Sequence, residues 1–240
     1  MTDVLILILA CTAASFIQRV SGFGFGIFIM TILPLLMPSY GEATTLSGIL
    51  SALQSLYVLA SLWKHVKWKR LLPILAAFVV SSYIAIQFVG YVSDTNLKQI
   101  LGGVLIIMSI YFLFISERIS IRPTTTMQFS MGGLSGILGG LFAMQGPPAV
   151  LYFVASERDK TKYMAMTQGY FFIGNIAMTL FRAGEGYLTH DVGMGTLYAS
   201  AGIVIGTLIG KFVFDKISAP LLRKIVYAYM AVSGLYALLA

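Results

Sequence analysis

Charge is what this chain lacks. Of its 240 residues, 10% are Asp, Glu, Lys or Arg and 58% are apolar. A soluble domain carries charge on about a quarter of its residues, so a water-exposed globule is excluded. Disorder is excluded too, because it needs low hydropathy and high charge. Cysteine occurs once, at Cys11, which rules out an internal disulfide and a secreted disulfide scaffold. Histidine occurs only at His65 and His190, both in predicted loops, and no cluster has metal-ligand spacing. All nine acids fall at predicted segment ends or in loops, so no intramembrane carboxylate is available for a proton relay. What remains is an integral membrane protein.

Six apolar runs approach the ~20 residues that cross a bilayer. They read as spans at 43–63, 71–90, 97–115, 161–182, 192–214 and 219–239. All are expected to be helices, because an open sheet edge in lipid leaves backbone groups unpaired. The net charge of +7 is concentrated in the short loops between them. That pattern fixes orientation in a bilayer and does not point to nucleic acid. The first apolar run has no Lys or Arg before it and leads into further membrane sequence, unlike a cleaved signal peptide.

Two stretches are broken. Val4 to Tyr40 is interrupted by Ser21-Gly22-Phe23-Gly24-Phe25-Gly26 and by Pro34. Met127 to Ser156 is interrupted by Gly139-Gly140 and by Gln145-Gly146-Pro147-Pro148. Its 30 residues give about 45 Å of helix rise, too little for two crossings of a ~30 Å core. It is therefore one kinked span or a hairpin of two short helices meeting within the membrane. Charge decides between them. Lys64, Lys67, Lys69 and Arg70 have no acid among them, which makes that loop cytoplasmic. Glu185 to Asp191 has two acids and no Lys or Arg, which places it outside. Counting spans from each, both ends of 127–156 are inside and both ends of 4–40 outside. Two re-entrant hairpins satisfy this count, with both termini outside.

The halves align. Ser21-Gly22 matches Ser135-Gly136, Gly26 matches Gly140, Met30 matches Met144 and Pro34 matches Pro148, all at an offset of 114. Gly48 matches Gly169 and Gln54 matches Asn175 at 121, and 93–100 matches 218–225 at 125. The predicted architecture is all-α, with two inverted-topology repeats. Repeat one, 1–120, holds hairpin 4–40 and three spans; repeat two, 127–240, holds hairpin 127–156 and three. Paired interrupted helices in inverted repeats mark a secondary transporter with its site near the midplane.

The breaks carry the candidate substrate site. Gly146 permits close backbone approach, and Pro147 starts a helix whose N-terminal dipole favours an anion. Gly22, Gly24 and Gly26 would supply the other half. Gly132, Gly133, Gly136, Gly139 and Gly140 read better as helix-packing positions. Arg19 lies within an apolar run just before the glycines; it either pairs the anion or snorkels. Arg182 and Lys211 sit near span ends and read as headgroup contacts. Among the amides, Gln18, Gln54, Gln145, Gln168 and Asn175 lie in apolar runs and either bind oxyanion oxygens or tie helices together. Gly133-Leu134-Ser135-Gly136 has the form of an intramembrane serine protease motif, but neither histidine is in position to act as its base.

Val20-Ser21-Gly22-Phe23-Gly24-Phe25-Gly26 with Pro34-Leu35-Leu36 resembles the sulfite exporter TauE/SafE family, also called the 4-toluene sulfonate uptake permease family. Gly132-Gly133, Gly136, Gly139-Gly140 and Gly146-Pro147-Pro148 are similar to its second-repeat counterpart. The resemblance implies transport of a small sulfur-containing anion such as sulfite or a sulfonate across a bacterial-type inner membrane. It carries the family glycines and prolines onto Gly22, Gly24, Gly26, Pro34, Gly146, Pro147 and Pro148. Arg19 departs from it, since a small residue is usual there. The expectation is a non-enzymatic permease working by alternating access, with no cofactor and no metal. Its partners are a small anionic substrate and the lipid bilayer. A coupling ion (H+ or Na+) and a homo-oligomer are left open. The alternatives are a channel-like anion pathway and a non-transporting scaffold or accessory subunit.

Overall fold

The computed structural model of the protein describes residues 2–115, 122–157, 159–213 and 219–239. No strand occurs among them. The first broken stretch folds as α1 (Thr2–Ser21), α2 (Phe25–Ile29) and α3 (Leu33–Leu36). Three helices follow: α4 (Tyr40–Leu62), α5 (Trp68–Val89) and α6 (Asp94–Ile110), the last continued by a π turn over Tyr111–Ile115. The second broken stretch is α7 (Thr125–Phe142) and α8 (Gly146–Ser156), followed by α9 (Lys160–Gly184), α10 (His190–Val213) and α11 (Ala219–Leu239). Among the described residues five helices are long and apolar enough to cross a membrane: those over 3–21, 40–65, 68–89, 94–114 and 190–213. The loops expected at 116–126 and 215–220 fall largely outside the described residues, and of the 218–225 side of the repeat alignment residue 218 does.

Local chemistry sets the helix boundaries. Ser39, Ser93, Thr124 and Asp159 each accept the N–H three residues on with a side-chain oxygen, which satisfies one of the free donors at a helix start. The two broken stretches are less even than a pair of short helices. α1 has 20 residues and α7 has 18, about 30 and 27 Å long at 1.5 Å per residue. Only the returning arms are short. The correction has a simple cause: no helix breaker precedes Gly22 in the first stretch, and in the second the glycines at 132–140 pack within α7 without ending it.

The chain has an acidic and a basic end. At the acidic end Asp3 and Val4 share a pocket with Pro38 and Asp191. Asp94 accepts the Tyr40 N–H at 2.8 Å, and Gln87 bonds Glu185 at 2.7 Å. At the basic end the buried Glu157 carboxylate pairs with Lys67 Nζ at 2.7 Å and Arg70 Nη1 at 3.1 Å. Gln128 Nε2 donates to the Arg70 carbonyl at 2.5 Å there. Each broken stretch thus starts and finishes at one end, the first at the acidic end and the second at the basic end.

The most extensive helix contacts pair α1 with α10, α5 with α7, α4 with α9, and α6 with α11. The first two are close because small residues bring backbones together. Gly202 and Gly206 of α10 lie against the Ile8 and Thr12 carbonyls of α1. Gly132, Gly136 and Gly140 of α7 lie against the Ile74, Phe78 and Ser82 carbonyls of α5. Gly102 and Gly234 face each other across α6 and α11. Gly133 faces open space, so the packing expectation holds for its neighbours and not for it. Leu5, Leu9, Val80, Phe88, Ile107, Leu197, Val204 and Phe212 are exposed on the outer faces, the surface a lipid-facing protein presents.

Candidate functional site: a cavity between two hairpin tips

The two broken stretches meet tip to tip. Gly26 sits directly on the Ala143 carbonyl, so any side chain at 26 would collide with it. The first tip turns through Gly22 and Gly24, with φ of 86° and 105°, a region that suits glycine. The second turns through Ala143 at φ 54°. There the Ala143 N–H bonds Gly139 O at 2.9 Å, the αL closure of α7, and the Met144 N–H bonds Leu138 O at 3.2 Å.

Between the tips and the α4–α9 pair lies a small cavity of about 20 Å³. Its polar lining is Gln18, Ser51, Ser55, Gln145 and Asn175, and its backbone lining includes Gly24, Gly26 and Gly146. Among the described residues no charged side chain lines it. A ligand here is held by neutral dipoles.

The lining residues also hold the tips. Gln18 accepts the Phe25 N–H through Oε1 at 3.3 Å and donates through Nε2 to Ser55 Oγ and Gln168 Oε1, both at 3.3 Å. Gln168 in turn donates to the Gly22 carbonyl at 3.0 Å. Gln145 Nε2 donates to Asn175 Oδ1 at 2.8 Å. This leaves Asn175 Nδ2 and Gln145 Oε1 buried without a partner, and an unsatisfied buried amide donor is free for a ligand oxygen. Beneath the second tip, Tyr170 Oη bonds Ser135 Oγ at 2.8 Å, and Ser135 Oγ donates to the Gln145 carbonyl. Ser135 is thereby a structural hydroxyl. Ser21 does the same at the first tip, donating to Phe23 O at 2.5 Å.

Of the predicted site residues, Gln18, Gly24, Gly26, Gln145, Gly146 and Asn175 converge on this cavity. Gly22 lies one step back in the first tip, facing Met164 and Tyr163. Pro147 is buried in the first turn of α8. It and Pro148 lack an N–H, so the start of α8 offers fewer backbone donors than a helix terminus usually does. Pro34 stands in α3 and lines a different groove. Gln54 accepts from Thr207 Oγ1 of α10 at 2.7 Å and, unlike its aligned counterpart Asn175, does not line the cavity. The half-buried Arg19 is also away from it, with its stem pressed against Gly210 of α10.

Arg182 corrects the reading of a headgroup contact. It is 1% exposed and donates to Thr44 O at 3.0 Å, Gly139 O at 2.8 Å and Gly140 O at 3.0 Å. α7 reaches so deep that its C-terminal carbonyls meet the last turns of α9, where a guanidinium suits the negative helix end. Ser51 and Ser55 were also missed. Their signal is a hydroxyl stripe at helical spacing, Thr44, Ser47, Ser51 and Ser55, on the face of α4 that meets α9.

Helices of membrane-spanning length around two interrupted, facing hairpins define an integral membrane protein of the transporter class. The chain belongs to the sulfite exporter TauE/SafE family, whose model matches residues 7–237. It is similar to the probable sulfite/organosulfonate exporter TauE of Cupriavidus necator, at 22% identity over 222 residues, 91% of this chain and 87% of that one. No solved structure matches. Membership places the chain among transport proteins and not among enzymes.

Proposed function

We propose that the protein is a secondary transporter for a small organosulfur oxyanion, sulfite or a sulfonate, and that it works by alternating access between two inverted repeats. The observation that carries the reading is the meeting of two interrupted hairpins, started from opposite ends, at one buried cavity. The substrate sits between the tips, with its oxygens taking hydrogen bonds from Asn175 Nδ2, the Ser51 and Ser55 hydroxyls and the backbone around Gly146. Neutral donors suit an anion that must also leave, since a full ion pair in a dry site releases slowly. The exchanged pairing of helices, α1 with α10 and α7 with α5, supports the repeats, because a two-fold relation between halves maps one pair onto the other. The basic end is cytoplasmic, as positively charged loops are, and both termini lie outside a bacterial-type inner membrane.

Flux decides the function. Purified protein in liposomes should take up radiolabelled sulfite saturably and show counterflow. Unsaturable flux indicates a channel, and no flux with sulfite, sulfonates, sulfate or carboxylates ends the transport reading. Orientation is read separately. With Cys11 buried, a cysteine at Ser93 or His190 should react with an impermeant thiol reagent on intact cells, and one at Lys160 should not. The reverse pattern inverts the topology.

A further inference from the structure

A groove of about 280 Å³ lies away from the hairpin tips, between the returning arm of the first broken stretch and the α6–α11 pair. It has more than ten times the room of the tip cavity. α3 packs on α4 and α1, which leaves Pro34 and Leu35 to form one wall of the groove. At its inner end the arm is clipped to α11. There Phe28 stacks on Tyr229 at 4.9 Å, and the Thr31 and Tyr229 hydroxyls bond at 2.8 Å.

The α6 wall changes character with depth. Thr95, Lys98 and Gln99 come first, in the opening turns at the acidic end. Leu101 and Leu105 follow, 2% and 1% exposed, and form an apolar floor. From Thr95 to Leu105 the helix rises about 15 Å, half of the ~30 Å hydrocarbon core and so the depth of one leaflet. Lys98 is half-buried, with no ion-pair partner among the described residues. Asp94, one turn nearer the end, is engaged by the Tyr40 N–H. On the rim Leu35 and Tyr236 are more than half exposed. The groove therefore opens sideways on the surface that meets lipid, with a tyrosine at the level where aromatic rings meet headgroups.

We propose that this groove is a phospholipid site, in which the headgroup phosphate accepts from Lys98 Nζ beside Thr95 and Gln99, and one acyl chain lies along Leu101 and Leu105. A lone cation at headgroup depth selects a phosphate, and burying a chain on the apolar floor adds its own stabilisation. A lipid so placed fills the gap between α3 and the α6–α11 pair. It braces the arm that leads back from the Gly24–Gly26 tip. The site does not depend on the transport reading.

The test is melting temperature in detergent, titrated with phosphatidylglycerol, with diacylglycerol of the same chains and with glycerol 3-phosphate, on wild type, Lys98→Gln and Ala237→Trp. A ligand that binds the folded state raises its melting temperature by mass action. Phosphatidylglycerol is expected to raise that of wild type by several degrees, diacylglycerol by less and glycerol 3-phosphate not at all. Lys98→Gln should weaken phosphatidylglycerol about tenfold, the loss of one hydrogen bond to a charged group, and leave diacylglycerol unchanged. Ala237→Trp fills the groove and should abolish the response to both lipids. Equal stabilisation of wild type by phosphatidylglycerol and diacylglycerol, or wild-type affinity in Lys98→Gln, overturns the site and leaves a snorkelling lysine. Stabilisation by glycerol 3-phosphate as strong as by the lipid makes it a soluble-anion site instead. A dimer in light scattering with no response to lipid makes the groove a contact between copies. If Ala237→Trp does not fold, Lys98→Gln still decides.

Discussion

Two kinds of helix seam run through the molecule. In the α5–α7 and α1–α10 seams, glycines at four-residue spacing lie on the carbonyls of the facing helix, and the polar side chains beside them are small hydroxyls, Ser81, Ser82 and Ser15, and the Arg19 stem. In the α4–α9 seam, hydroxyls, amides and Arg182 face one another, and several of their polar atoms are buried without partners. Without a hydrophobic drive between helices in lipid, close backbone packing is what holds them. The glycine seams thus bear the stability. The polar seam gives some of it up, as expected of a surface that meets a hydrophilic ligand and must re-form around it.

The comparison breaks first at the glycine seams. Gly136→Leu or Gly206→Leu drives a side chain into a facing carbonyl with no flexible neighbour to yield. Each is expected to cost more than ~3 kcal/mol, the upper end of ordinary overpacking, and to abolish the folded species in size-exclusion and melting measurements. Folded Gly136→Leu with a wild-type melting temperature would dissolve the distinction.

At the polar seam the order of effects inverts. Asn175→Ala should remove sulfite binding, because it removes the free Nδ2 donor, and it should also lower stability by about 1–3 kcal/mol, because the buried Gln145 Nε2 loses its acceptor. Gly146→Val should also lose affinity in a folded protein: a Cβ at 146 would meet only Phe171 and Phe23, at 3.6 and 3.7 Å. Gln145→Ala should weaken sulfite binding more modestly, about tenfold for a lost charged-group hydrogen bond of ~1.5 kcal/mol. Calorimetric affinity and melting temperature, taken together on each variant, check all three. The smallest effect is expected at Gly133→Ala, which faces open space. It should leave flux unchanged and shift stability by less than ~1 kcal/mol, the scale of helix propensity.

These contrasts also explain what could be read from sequence. The six apolar runs fall on helices α4, α5, α6, α9, α10 and α11, and among the described residues α4, α5, α6 and α10 are long and apolar enough to cross a membrane, because a bilayer crossing needs a long apolar run. The Gly and Pro breaks located the tips, since a backbone that must turn sharply leaves its mark in residue type. Depth along the chain was a poorer guide. Gln18 and Arg19 are adjacent, so on a helix they point about 100° apart, and only Gln18 faces the cavity. Arg182 looked like a span-end residue because the depth that α7 reaches, which buries it, is a tertiary fact. The glycines at 202, 206 and 210 are as regular as those at 132, 136 and 140. They went unread because no break accompanies them.

The pairing of α1 with α10 and of α7 with α5 has a consequence for assembly. Each half of the chain lends its first long helix to the other half and borrows one back, so neither half can close its own interior. Synthesised alone, the first would leave the α5 face that receives α7 bare, and the second the α10 face that receives α1. Made together as two polypeptides, they should find each other and restore the whole, because the surfaces that recognise one another are already divided between them.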